Sequence, residues 1–289
     1  MTRDPTGGEQ RSRYVVDGAE LSVLEAGRGE PLVLLHGIPT GAELWREVLL
    51  KLAARGARAF APDLPGYGHT RAPTTADHSL AGTARLVARW IEAAGLAPAW
   101  LVGHDSGGAV AQLLAVDHPD TVCRLTLVNS ITDGSWPAPR ARISTQLARL
   151  GAFRPAARLG LVPNPLMRWQ VRRALGPGSH VSEEVLDRVV WDDKFTSPRG
   201  RAAFQRHLAA LTAADTAVLD PALSSLTLPV QIVWGLEDPF QRWTTAGRRL
   251  RELLPEAHVD RLETCGHFPP LECPEALVTI LLDWRAAST

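Results

Sequence analysis

The stretch Leu101 to Gly108, Leu-Val-Gly-His-Asp-Ser-Gly-Gly, constrains this chain more than any other. A short apolar run ends in a glycine-framed acid and a small-residue helix begins at once, which spells strand, sharp turn and helix. Gly103 and Gly107 stand two residues before and two after Asp105. Without side chains there, strand and helix can approach closely and the central residue can take a strained backbone. The spacing pushes Asp105 into the open as a candidate nucleophile. Ser106 is out of register for that role, because it would put the bulk of His104 two positions before it. It reads as the residue following the nucleophile.

What surrounds this turn is a chain of 289 residues, long enough to bury a full core as one folding unit with an insertion. Its 31 basic and 31 acidic residues cancel. No global field recruits nucleic acid or an anionic membrane, so small, largely neutral ligands are the expected partners of a monomer or homodimer. Cys123, Cys265 and Cys273 are odd in number and lack metal-ligand spacing. A reducing compartment fits best, and no metal is expected. Residues 1–13 are polar, with no signal peptide or anchor pattern, and read as a disordered tail. No run approaches the roughly 18 apolar residues of a membrane span. The expectation is a soluble cytoplasmic protein.

Along the chain, Tyr14 to Val16 and Glu20 to Glu25 are strand-like runs joined by Asp17-Gly18, a hairpin dipeptide. Leu32 to Leu35, Arg58 to Ala61, Ala99 to Val102 and Leu125 to Val128 read as buried parallel strands alternating with helices. After Ser130 strand character vanishes for about 100 residues, far beyond an ordinary connection, and Arg-, Ala- and Leu-rich helical stretches broken by prolines take its place. Strands return at Val230 to Trp234 and near His258 to Leu262. The expected architecture is an α/β fold: an eight-stranded, mostly parallel sheet flanked by helices, its core formed by residues 14–130 and 225–289, with a helical cap over 131–224. A nucleotide-binding fold with the same element order needs G-x-G-x-x-G at the first strand-to-helix turn. That turn reads His36-Gly37-Ile38-Pro39-Thr40, and no Walker pattern occurs.

Three further signals accompany the turn at Asp105. Val233-Trp234-Gly235-Leu236-Glu237-Asp238 ends a strand with an acid; Cys265-Gly266-His267-Phe268 lies between the last strand and the last helix; His36-Gly37-Ile38-Pro39 follows the third strand. Together with Gly-His-Asp-Ser-Gly in place of G-x-S-x-G, they resemble the α/β-hydrolases, in their aspartate-nucleophile branch, over nearly the whole chain after Tyr14. The resemblance implies a cofactor-free enzyme with Asp105 as nucleophile, Asp238 as the triad acid rather than its neighbour Glu237, and His267 as the histidine. It also implies backbone N–H groups of Ile38 and Ser106 as an oxyanion hole.

A carboxylate is already anionic at neutral pH and can displace a leaving group at saturated carbon without a base, giving an ester of Asp105. His267, oriented by Asp238, would then activate the water that cleaves it. Epoxide hydrolases and haloalkane dehalogenases resemble this arrangement, and the chain departs from each. Ser106 and Ile38 stand where the dehalogenases carry halide-binding Trp and Asn, and no Arg follows the nucleophile as in fluoroacetate dehalogenases. The only tyrosines, Tyr14 and Tyr67, lie outside the cap, whereas epoxide hydrolases use cap tyrosines on the epoxide oxygen. Candidates for that donor or for substrate contact are Trp136, Trp191 and His207, with Trp169 and His180 behind them, and His36 at the head of its loop. Asp133 reads as a solvated loop acid and Met167 as cap core. The preferred reading is an epoxide hydrolase acting on a small apolar organic substrate. The alternatives are a haloalkane dehalogenase, an ester or lactone hydrolase or non-hydrolytic enzyme using Asp105 and His267 as an acid/base pair, and a ligand-binding protein on a hydrolase scaffold.

Overall fold

The computed structural model describes residues 8–132, 134–136, 139–191, 193–217 and 219–287. Its centre is one eight-stranded sheet. β1 (Gln10–Val16), β2 (Ala19–Gly27), β3 (Pro31–Leu35), β4 (Arg58–Pro62), β5 (Ala99–His104), β6 (Val122–Val128), β7 (Val230–Gly235) and β8 (His258–Leu262) lie in the spatial order 1-2-4-3-5-6-7-8. β1 pairs antiparallel with β2, and β2 with β4; every other pairing is parallel. β5 and β7, mostly apolar apart from His104 and Gln231, are buried at every position, as strands covered on both faces are.

The strands alternate with α1 (Arg46–Ala54), α2 (Leu80–Ala93) and α3 (Ser106–Asp117). α2 starts where the Ser79 hydroxyl accepts the Gly82 N–H at 3.0 Å, a side-chain cap over an otherwise unpaired donor. α3 is apolar almost all round and buried from Ser106 to Ala115, because it packs directly behind β5 and β6 as well as against α2. Between β6 and β7 the described residues form α4 (Pro139–Arg149), α5 (Phe153–Arg158), α6 (Pro165–Arg172), α7 (Glu183–Val190), α8 (Asp193–Thr196), α9 (Pro198–Ala210), α10 (Ala214–Ala217) and α11 (Leu219–Leu223). α9 is the hub of this insertion, packing on α4, α5 and α8 through an aromatic cluster of Phe153, Phe195 and Phe204. The chain ends with α12 (Arg248–Leu253), α13 (Pro269–Glu272) and α14 (Pro274–Ala287), the last packed beside α1.

Two expectations need correction. Residues 10–13, read as part of a disordered tail, belong to β1: their backbone pairs with β2, Ser12 bonds the Glu25 carboxylate, and Arg11 reaches Asp63 and Glu43 at 2.9 and 2.8 Å. Polar side chains hid an edge strand whose partners are distant acids. Of the rest of that stretch, Gly8 and Glu9 lead into β1, with Glu9 paired to Arg46 at 2.8 Å, and residues 1–7 lie outside the described residues, as does Asp133. Cys265 and Cys273, expected as thiols of a reducing compartment, are joined in a disulfide, their Cα atoms 6.8 Å apart, and Cys123 is the free cysteine. The short helix α13 folds the chain back on itself, so the bridge closes a loop around His267. No helix among the described residues is long and apolar enough to cross a membrane.

Candidate active site

The four turns that carry the sequence motifs, after β3, β5, β7 and β8, meet at the carboxyl ends of the strands. Asp105 follows β5 with φ 51°, a backbone region costly for a side-chain-bearing residue, and three close approaches hold it there. A Cβ on Gly103 would lie 2.6 Å from the Gly107 carbonyl oxygen, one on Gly107 2.4 Å from the carbonyl oxygens of Leu35 and His36, and one on Gly37 2.5 Å from the Asp105 Cβ. Only glycine lets β3, β5 and α3 converge so closely.

The carboxylate of Asp105 sits inside the donor pair expected to form an oxyanion hole. The Ile38 N–H donates to its Oδ2 at 3.0 Å, and the Ser106 N–H at the start of α3 lies near enough to lower its pKa. Oδ2 is thereby held, and Oδ1 is the oxygen outside that bond. Burial lifts the Asp105 pKa above the usual carboxylate range, the His267 charge and the two N–H groups pull it down, and the charge of Asp238 adds to the lift.

His267 donates from Nδ1 to Asp238 Oδ2 at 2.8 Å, and both side chains are buried. Asp238 is fixed from three more directions. Asn129 Nδ2 donates to Oδ2 at 2.8 Å, and the N–H groups of Phe240 and Gln241 donate to Oδ1 at 2.7 and 3.0 Å. Every acceptor position of the carboxylate is used, which fixes the histidine's ring and tautomer and leaves Nε2 as its basic nitrogen. Burial works against a charged His267, but the carboxylates of Asp238 and Asp105 outweigh it and the pKa is raised. Asn129, not singled out from sequence, follows β6 at φ 42°, a conformation Asn tolerates better than most residues. Its side chain also bridges to the Gly235 backbone in both directions. An Asn closing a buried strand was the available signal.

The other sequence candidates separate. His36 is neutral, its pKa lowered to about 4 by burial, and both its nitrogens are spent on backbone: Nδ1 donates to the Gly37 carbonyl and Nε2 accepts the Leu64 N–H. It shapes the loop and has no nitrogen for substrate. His207, held near pKa 3 by burial and His78, gives its Nδ1 proton to the His78 carbonyl. Its buried, unpartnered Nε2 is therefore an acceptor and cannot supply a proton. Trp191 packs on Phe195 beneath the Arg168 guanidinium within the insertion. Trp169 and His180 are exposed, and Met167 packs against the core. Trp136 is buried with its indole N–H unpartnered.

Tyr67, set aside because it lies outside the insertion, is brought to the site by the fold. Its loop is built on Asp63, which accepts from Arg11 and from the N–H groups of Ala42 and His69. The ring then stacks edge-on against His36, Phe204 and His207. Its hydroxyl is buried and unpartnered. Burial and the nearby Asp105 charge push the phenol pKa well above its usual value, so the hydroxyl keeps its proton. Chain position misled here, because the insertion packs onto this loop rather than replacing it. Among the described residues no group of His, Cys, Asp and Glu could hold a metal ion.

The loop that carries His267 is fused to the insertion. Glu272 accepts the N–H groups of Gly176, Gly266 and Phe268 at 2.6, 3.0 and 2.9 Å, and the His267 N–H donates to the Ala174 carbonyl at 2.7 Å. A Cβ on Gly176 would lie 2.0 Å from the Thr264 carbonyl oxygen. Three charge-assisted bonds from buried backbone donors make this joint costly to break. Glu272→Ala should therefore lower the free energy of unfolding by about 3 kcal/mol, and Glu272→Gln, which keeps one accepting oxygen, by roughly half of that. Urea unfolding checks both values, and an Ala variant as stable as the parent would show the joint to be dispensable.

A family model described as the alpha/beta hydrolase fold matches residues 30–274. A soluble epoxide hydrolase of Corynebacterium sp. is 30% identical over 291 residues, covering 94% of this chain and 96% of its own. A putative carbamate hydrolase of Variovorax paradoxus is 29% identical over 262 residues, covering 89% of this chain and 92% of its own. The crystal structure of an alpha/beta hydrolase fold protein from Burkholderia ambifaria superposes with a TM-score of 0.82 at 28% identity, covering 94% of this chain and 97% of that one.

Proposed function

The chain belongs to the α/β-hydrolase fold family, and from that premise we propose that it opens epoxides through an ester formed on Asp105. The observation that carries this reading is the Ile38 N–H bond to Asp105 Oδ2. A carboxylate with one oxygen parked in the donor pair presents the other for attack. When water later adds to Cγ, the oxygen that becomes anionic is already in place. The likeness to a soluble epoxide hydrolase of Corynebacterium sp. over nearly the full length of both chains points the same way.

In the first half-reaction Asp105 Oδ1 bonds to an epoxide carbon, the carbon–oxygen bond of the ring breaks, and the oxygen takes up a proton. A forming alkoxide in a water-poor site needs a donor. The Tyr67 hydroxyl is the best placed, being protonated, buried and unpartnered beside the Asp105 charge, and the Trp136 indole is a second donor. His207 is excluded as the donor by its tautomer. In the second half-reaction the neutral His267, turned by Asp238 and Asn129, takes a proton from water as it attacks the ester carbonyl. On collapse His267 passes its proton to the departing alkoxide oxygen, which frees the diol, and the proton left on the Asp105 carboxyl returns to the donor that was deprotonated in the first half-reaction, restoring the carboxylate. Because esterification removes the Asp105 charge, one of the three carboxylates that raise the His267 pKa, Asp238, Asp105 and Glu272, disappears when the histidine must act as a base.

Blocking the second step tests the reading directly. His267→Gln incubated with a panel of small epoxides and alkyl halides should gain the mass of one whole epoxide, and Asp105→Asn should gain none. Absence of any adduct, with the parent enzyme cleaving simple esters, would transfer Asp105 to the acid/base role. Tyr67→Phe should reduce epoxide turnover by about 100-fold while sparing the alkylation half-reaction with alkyl halides, whose leaving group needs no proton. Equal losses on both substrates would remove Tyr67 from the chemistry. Finally, single-turnover hydrolysis of the ester should fall as pH drops through the His267 pKa, and that limb should lie at lower pH than the His267 titration of free enzyme followed by NMR. A limb at higher pH would contradict the charge argument.

A further inference from the structure

The zero net charge of the chain conceals a sharp segregation. From Gly134 to Ser182 there are eight arginines and no lysine or acidic residue, so the rest of the chain carries the balancing acidic excess. The same segment holds most of the large hydrophobic side chains that stand exposed among the described residues. Among the described residues, six of the eight large hydrophobic side chains that stand exposed fall between Ile143 and Trp169: Ile143, Leu150, Leu159, Leu161, Leu166 and Trp169, at 55 to 73% exposure. A monomeric surface has isolated leucines everywhere, but six within 27 positions of a basic segment are not scattered.

α5 shows how the two features combine. Phe153 and Ala157 turn inward, while Arg154 and Arg158, one position on, are exposed. Leu150 precedes the helix and Leu159 and Leu161 follow it, all exposed. Neither Arg154 nor Arg158 has a side-chain partner among the described residues. Arginines elsewhere in the segment do: Arg168 and Arg172 pair with Asp187 and Glu183 of α7, and Arg149 donates to the carbonyls of Ala209 and Leu211. The unpaired charges thus lie among the exposed leucines.

We propose that the α4 to α6 face of the insertion is a peripheral docking surface for a bilayer containing anionic lipid. Guanidinium groups next to exposed leucines and a tryptophan provide both terms that hold a helix at such an interface, attraction to headgroups and burial of side chains at the acyl boundary. The acidic remainder of the molecule is repelled by the same surface and so orients the insertion toward it. A second copy of the chain fits less well, since a two-fold contact would set arginine against arginine. Nucleic acid would use the arginines but leave five exposed aliphatic side chains without a role. The expectation of no membrane contact rested on net charge, which averages this asymmetry away. The proposal stands whether or not the reaction assigned above is right.

The test is cosedimentation of the full chain with vesicles of phosphatidylcholine alone and of phosphatidylcholine with about 30% phosphatidylglycerol. Affinity should be at least about ten-fold higher for the anionic vesicles and fall steeply with added salt. Arg154→Glu with Arg158→Glu, and separately Leu159→Ser with Leu161→Ser, should each lower it about ten-fold, with melting temperature unchanged because all four side chains are exposed. Val15→Ser, equally exposed but on β1, should leave it alone. No binding to anionic vesicles, binding insensitive to both double variants, tighter binding to a DNA duplex than to vesicles, or a dimer that the leucine variant dissociates would each overturn the proposal.

Discussion

Everything at the site depends on how closely three backbones can approach around Asp105. The missing Cβ atoms of Gly37, Gly103 and Gly107 let the loop after β3 reach the start of α3, and this brings the Ile38 N–H within 3.0 Å of the Asp105 carboxylate. One added methyl at any of the three would meet main-chain atoms or Asp105 itself, which rotation of a side chain cannot relieve. The strained φ of Asp105 is affordable only because the neighbouring packing over-determines it: its carbonyl accepts the N–H groups of both Gly108 and Ile131.

Electrostatics follows from that placement. Two buried carboxylates and one buried histidine share a small region, and burial alone would discharge all three. Asp238 is supported by four donors and Asp105 by two backbone N–H groups and the histidine, while His267 owes its raised pKa to both acids. The cluster is therefore reciprocal, and each charge is tolerable because of the others. Glu272 extends it outward: burial raises its own pKa, three backbone N–H groups and the His267 charge oppose that rise, and its charge contributes in turn to raising His267.

What was legible in the sequence was what is encoded locally. Asp105, Asp238 and His267 each follow a strand inside a short pattern of glycines, and the parallel strands show as apolar runs, so the sheet could be read directly, while the joining of these side chains followed from the resemblance to the α/β-hydrolases. The relations that were not legible are long-range. Asn129 meets Asp238 across 109 positions and Glu272 meets Gly176 across 96, and neither residue belongs to a periodic pattern. Tyr67 was passed over by chain position, although packing of α9 on its loop decides where its hydroxyl lies. Residues 10–13 looked like a tail because their pairing is through backbone and through acids of other elements. His207 and His36 looked like donors because a sequence cannot show which ring nitrogen a carbonyl has claimed.

Two parts of the insertion are tied to the core differently. At Ala174 to Gly176 its backbone is locked into the His267 loop, where a Cβ on Gly266 would lie 2.1 Å from the Ala174 carbonyl oxygen and one on Gly176 2.0 Å from that of Thr264. Separating these segments would strip Glu272 of its partner in the insertion, the Gly176 N–H, and would release the histidine's own N–H from the Ala174 carbonyl. Any motion that admits substrate while keeping His267 on Asp238 must therefore leave residues 174–176 where they are. It has to be taken up earlier in the insertion, in the stretch from α4 to α6, where the helices are short, glycines at 151 and 160 adopt positive φ, and the exposed leucines cluster. The joint that fixes the histidine and the face proposed to meet lipid are thus consecutive parts of one insertion, the first bonded into the His267 loop and the second carrying the exposed leucines.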